Sequence, residues 1–187
     1  KINRAYPKSI FYALGVCLFD NIGCCIYMYY KYLKYLLKHK WYVFIECSKN
    51  GLTWRGIKHD MSKFLPSEFF PYAYHFNGNH PPTRDMITKN YIKPAITGDE
   101  AFDEAWRLHI KRNKHHWQWW AIPELGGGVN AAEMDDDSRM EMLCDWIGAG
   151  KVQKTNGIKE WWEKNQAKVQ LHEKTRKKIN EFIFGRI

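Results

Sequence analysis

Between Met28 and Gly51 the run "MYYKYLKYLLKHKWYVFIECSKNG" places Tyr29, Tyr32, Leu36, Val43, Phe44 and Cys47 at steps of three and four, the repeat of one helix face. The pattern predicts a long amphipathic helix, stopped by Asn50 and Gly51. On its wheel His39 borders the apolar stripe, whereas most of the lysines point away from it. A second helix is predicted from about Trp54 to Phe64, ending before Pro66. On that helix His59 and Lys63 stand one turn apart and share a face. "PSEFFPYAYHF" reads as a short helix or turn, and "NGNHPPTRD" as a loop by its Asn, Gly and Pro content.

The run "GDEAFDEAWRLHIKRNKHHWQWW" opens with acids, which suit the positive end of a helix dipole. If the helix continues unbroken, His109, Asn113 and His116 fall on one stripe with Phe102, Trp106 and Trp117. His115 then points roughly 100° from His116, so both reach one site only where the helix ends or distorts. "PELGGGVNAAEMDDD" is a glycine-rich connector or flap. In "SRMEMLCDWIGAG" Ser138 and Glu141 match a capping box, and Gly148 and Gly150 mark the end. Met140, Met142, Leu143, Cys144, Trp146 and Ile147 leave that helix almost no polar side, so it is buried and carries Asp145 with it. A buried carboxylate needs a cation or hydrogen-bond donors. From Gly157 to Phe184 one or two basic amphipathic helices follow. With no repeats and no strand pairs in the pattern, the fold class is all-α.

At 187 residues, 45% of them hydrophobic and nine of them Trp, the chain has ample material for one core. A single domain over residues 28–187 is expected, with residues 1–27 as a peripheral extension; a chain starting at Met28 should stay folded. "SIFYALGVCLFDNIGCCIYMYY", residues 9–30, is long enough to span a bilayer, but Asp20 near its middle costs about 2.5–3.5 kcal/mol there. A membrane partner is therefore not expected. Five cysteines without a Cys-x-x-Cys spacing indicate neither a disulfide framework nor a thiolate zinc site, and fit a reducing cytoplasm.

The net charge of +9 is uneven. Residues 28–63 carry eight Lys/Arg against Glu46 and Asp60, and residues 151–187 carry ten against four Glu. Such a surface favours anions, phosphate-bearing ligands among them, without separating nucleotide, nucleic acid and anionic lipid.

His39, His59, Asp60, His109, His115, His116 and Asp145 remain to be explained, each on or beside an apolar helix face. One inward histidine alone is more often a hydrogen-bonded core residue than a ligand. Seven such groups spread over four helices suggest otherwise, because imidazoles and carboxylates suit a divalent transition metal and satisfy one another around it.

"HDMSK", residues 59–63, resembles the His-Asp-x-x-Lys signature of HD-domain metal phosphohydrolases, which are all-helical bundles. The resemblance implies metal ligation by His39, His59, Asp60 and Asp145, which occur here in the family's order. The pair His115 and His116 resembles the double histidine of the cyclic-dinucleotide phosphodiesterase branch, but no glutamate follows it and no Gly-Tyr-Pro motif is present, so that substrate does not carry over. A longer likeness, over about residues 28–180, is to bacterial and phage proteins known only as a domain of unknown function; "LKHKWYVF", "HDMSKFLPSEF", "RNKHHWQWW" and "DWIGAG" carry it.

What the HD resemblance implies is a metal-dependent phosphohydrolase acting on a nucleotide or related phosphoester. Its cofactor would be a divalent ion (Mn, Mg, Co, Ni, Fe or Zn). Asp60 and Lys63 would be catalytic, and His115 and His116 would hold a further ion. Lys63, His109, Arg112 and Asn113 would bind the substrate's phosphate. Trp117 or Trp120 could stack a base, although core packing is the commoner role of such residues. The second reading is a basic helical nucleic-acid-binding protein without catalysis.

Overall fold

The computed structural model describes residues 22–78 and 96–185. Its order is α1 (Ile22–Lys49), α2 (Thr53–Lys58), a 3-10 turn (Met61–Phe64), α3 (Pro66–Asn77), α4 (Glu100–Arg112), a second 3-10 turn (Trp117–Trp120), β1 (Ala121–Pro123), β2 (Val129–Ala131), α5 (Asp136–Gln153), α6 (Ile158–Asn165), a third 3-10 turn (Gln166–Lys168) and α7 (Glu173–Phe184). The all-α class expected from the pattern holds. Most of the 1–27 extension lies outside the described residues, as does most of the 77–85 loop, and α1 already begins at Ile22. Among the described residues no helix is long and apolar enough to cross a membrane.

Two compact units divide the chain. The first takes residues 1–36 and 61–109, the second residues 37–60 and 110–187, and α1 contributes to both. In the first, Pro66 starts α3, where its missing N–H is no loss. Aromatic rings form its core. The Tyr72 ring meets Phe102 edge-on at 5.0 Å, and His75 stacks on Phe102 at 3.7 Å while its Nδ1 stands 3.0 Å from Asp99. The wholly buried pair Glu68 and His109 is joined at 2.8 Å, and the Ser62 hydroxyl donates to the same Glu68 oxygen at 2.8 Å. A buried carboxylate is tolerable here because two polar neighbours share its charge.

The second unit packs α1, α2 and α5 through small residues. A Cβ on Gly56 would lie 3.0 Å from Phe44 Cα, and one on Gly148 2.6 Å from Val43, so only glycine lets these backbones approach so closely. Val43, Cys47 and Cys144 fill the contact. Further along the chain, Trp162 is fully buried, its Nε1 donates to Asn180 at 2.7 Å, and Arg176 lies over its ring.

Four expected elements differ in the structure. α2 stops at Lys58 rather than running to Phe64, because Asp60 adopts a left-handed conformation at φ 54°. α4 ends at Arg112, ahead of the double histidine. Asp135, not Ser138, caps α5: its Oδ1 accepts from Ser138 N at 2.7 Å. The glycine-rich connector is an antiparallel hairpin in register Ala121 to Ala131, with three-residue strands too short to leave an alternation in the sequence.

Candidate metal centre

All of the site described here belongs to the second unit. His39 comes from α1, His59 and Asp60 from the turn after α2, His115 and His116 from the turn after α4, and Glu141 and Asp145 from one face of α5. In a regular helix neighbours diverge by about 100°, so His59 and Asp60 could not share a target. The left-handed backbone at Asp60 turns its carboxylate back toward the His59 ring, and ending α4 at Arg112 similarly frees His115 to turn inward.

His39, His59, Asp60 and His115 are all at most 3% exposed. The Nε2 of His39 stands 3.0 Å from Asp145 Oδ1 and 3.7 Å from Asp60 Oδ2. The Nε2 of His59 lies 3.5 Å from the same two oxygens. Ligands about 2.1 Å from a first-row ion are separated by about 3.0 Å in an octahedron and about 3.4 Å in a tetrahedron. The observed spacings are those of donors around one ion, and His39, His59 and Asp60 form a group that could hold it. The other oxygen of Asp60 faces His115 Nε2 at 3.4 Å. Ligand atoms of Asp60, His115 and His116 lie within 4.8 Å of one another, so Asp60 divides its two oxygens between two sets of imidazoles.

Glu141, which the capping-box pattern assigns to a helix start, has a different place. Its Oε1 lies 3.1 Å from Nδ1 of His59 and 3.2 Å from Nδ1 of His115, and its Oε2 accepts from Arg55 at 3.1 Å. An acceptor at both Nδ1 atoms favours a proton there and leaves both Nε2 atoms, on the Asp60 side, to take either a further proton or an ion. His59, His115 and Glu141 also form a group of metal-ligand size. The Arg55 guanidinium behind Glu141 opposes a cation on that side, so the Nε2 side is the better place for an ion. The sequence pattern gives Glu141 only the role of a capping-box partner to Ser138, since Ser-x-x-Glu before an apolar run has that spacing, and it assigns Arg55 no place in the site.

The charges follow from these contacts. Burial disfavours the His115 imidazolium, but hydrogen bonds to Asp60 and Glu141 prevail and raise its pKa to about 10. Burial pushes the Asp145 carboxyl up, and hydrogen bonds from His39 and His59 outweigh it and hold the group well below the usual range. Glu141 is lowered in the same way by His115 and His59. Without an ion, protons hold these carboxylates and imidazoles together; a divalent cation would do the same by displacing them.

The residues expected to bind substrate lie as follows. Lys63 sits on the 3-10 turn, half-buried, its ammonium 5.6 Å from the Tyr72 ring centre. His109 has its Nδ1 on Glu68. Both belong to the first unit. Arg112 is exposed at the end of α4, and Asn113 is half-buried in the turn that follows. Trp117 is half-buried, and Trp120 donates its indole N–H to the Lys114 carbonyl at 2.8 Å.

Fold and site together define a predominantly helical protein with a buried histidine–carboxylate cluster able to hold a divalent metal. The chain belongs to the family of unknown function DUF5662, whose model matches residues 28–184. No curated protein and no solved structure matches it.

Proposed function

We propose that this chain is a metal-dependent phosphohydrolase of the HD type, acting on a nucleotide or related phosphoester. The observation that carries the reading is the convergence of His39, His59, Asp60 and Asp145 at ligand spacings, in the order that the His-Asp-x-x-Lys resemblance implies. These four side chains would hold a divalent ion, which would supply a water of lowered pKa and polarise a phosphoryl oxygen. Asp60, with oxygens on both sides, anchors the cluster and orients the attacking water. Arg112 and Asn113, in the same unit as the cluster, offer a positive charge and an amide to the phosphate oxygens. Water oxygen bonds to phosphorus and gives up a proton to solvent, the ester P–O bond breaks, and the leaving oxygen takes a proton from solvent.

Purified protein loaded with Mn, Co, Ni or Mg should release phosphate or alcohol from at least one member of a panel of nucleoside mono-, di- and triphosphates and cyclic nucleotides. Asp60→Ala should abolish the release. The basic segments support a second reading, nucleic-acid binding without catalysis. Salt-dependent binding to random DNA or RNA, unchanged by Asp60→Ala and with no turnover, would favour it.

A further inference from the structure

The second unit carries an apolar surface turned away from the metal cluster. On α1, Trp41 is two positions beyond His39, which is about 200° around a helix. His39 is 3% exposed and Trp41 59%. At the end of α2 a similar contrast holds: Ile57, on the helix, is 46% exposed, and His59, its C-cap, 1%. Leu37, one turn before Trp41, is 53% exposed, and Trp54, one turn before Ile57, is 65% exposed. Lys40 joins the two helices by donating to the Ile57 and His59 carbonyls. Gly56 seats α2 directly on the α1 backbone at Phe44. Two indoles and two branched aliphatic chains therefore stand out from one helical hairpin.

Lysines stand beside them, and the exposed carboxylates next to this hairpin, Asp135 and Asp137, are paired with Arg55 of α2. Lys38 and Lys58 are exposed on the same two helices, and the Lys58 ammonium lies 4.9 Å from the Trp54 ring centre. Between residues 37 and 58 the one acidic residue is Glu46, which is 8% exposed and bound by Lys49 and Lys151. No carboxylate of the hairpin itself answers Lys38 and Lys58, which leaves them available to an anionic occupant.

We propose that this hairpin face docks on an anionic lipid surface. Indoles belong at the headgroup level, Leu37 and Ile57 gain by entering the acyl boundary, and lysines reach lipid phosphates from stems laid along the apolar rim. The aliphatic pair separates this occupant from a nucleic acid, for which aromatic platforms alone would serve. Docking of this kind does not cover the cluster, whose His39 and His59 point to the opposite side of the hairpin. It is a surface attachment, distinct from the bilayer span that Asp20 argues against.

The test is co-sedimentation of the purified full chain with vesicles of phosphatidylcholine alone or with 30% phosphatidylglycerol (on the order of a native anionic content), read beside Trp fluorescence. Expected are binding to the anionic vesicles only, a blue shift, at least a tenfold loss on raising the salt, and a similar loss in Trp41→Ser/Trp54→Ser. Both side chains are exposed, so that variant should keep its circular dichroism. Asp60→Ala should bind vesicles like the wild type, which separates this inference from the phosphohydrolase reading. Three results would overturn it: no anionic-vesicle binding by folded protein, preferential binding of oligonucleotides lost in the Trp variant, or a dimer in ultracentrifugation that the Trp variant abolishes.

Discussion

Nε2 of His59 and Oδ2 of Asp60 lie 3.5 Å apart although the two residues are chain neighbours, and the left-handed backbone at Asp60, φ 54°, makes this possible. Outside glycine, asparagine and aspartate adopt that conformation most readily. Asp60→Asn should therefore keep the backbone and lose the charge. Its metal-free form should melt several degrees below wild type, because His115 loses a buried charged partner, while its affinity for Mn or Zn falls by at least the factor of about 10–100 seen for outer partners. Asp60→Ala should add a backbone penalty of about 1–2 kcal/mol in denaturant unfolding.

Glu141 sets both imidazoles by accepting from two Nδ1 atoms. Outer carboxylates of this kind affect metal affinity by about 10–100-fold. Glu141→Gln should weaken binding by that factor and shift the visible spectrum of the Co(II) form, with helical content unchanged. An unaltered Co(II) spectrum and affinity would place Glu141 outside the site's electronics.

The raised pKa of His115 gives a pH dependence with a definite sign. Its folded value, about 10, exceeds the ordinary 6.5. The stabilisation from its charged contacts with Asp60 and Glu141 is complete below about pH 6.5 and is lost as pH rises through about 10. Thermal melts of metal-free protein should therefore fall across that interval, and His115→Asn should flatten the decline. Added divalent ion should stabilise the protein more as pH rises there, because each ion displaces protons.

These contacts show what the sequence does and does not reveal. His39 and Asp145 were legible because a polar group on an apolar helix face stands out at 3.6-residue spacing. His59, Asp60 and the double histidine were legible as dipeptides, but the turns that aim them were not, since a single left-handed residue or a helix end leaves no periodic trace. Glu141 was misread because Asp135 and Ser138 compete for the same cap, and Asp135, three residues before Ser138, takes it. Arg55 looked like one more surface cation; only the fold sets it behind a buried carboxylate.

Gly56→Ala tests the close approach that holds α2 on α1. The new methyl would lie 2.9 Å from Cys47 Cβ and 3.0 Å from Phe44 Cα, neither of which can move freely. Overpacking of this kind costs about 1–3 kcal/mol. Chemical denaturation should show that loss, and metal affinity should fall with it because His59 and Asp60 follow directly on this helix.

Cys47 and Cys144 are fully buried, and the Cys47 thiol is held protonated by its contact with Cys144 and by burial, its pKa far above normal. The thiolate is the reactive form, so Cys47 should not be alkylated in native protein at pH 8, and burial keeps the reagent from Cys144. The exposed Cys24 should react at once. Peptide mapping after iodoacetamide, with and without denaturant, reads this directly.

Divalent-metal binding by the full-length chain, measured by calorimetry after chelator treatment and dialysis, bears most directly on the convergence of His39, His59, Asp60 and Asp145. At least one Mn or Zn per chain at micromolar affinity or tighter, with site occupancy lost in His39→Ala and in Asp145→Asn while both variants stay helical, is the predicted result. Folded wild-type protein that binds neither ion, or variants that bind as tightly as wild type, would contradict the metal centre.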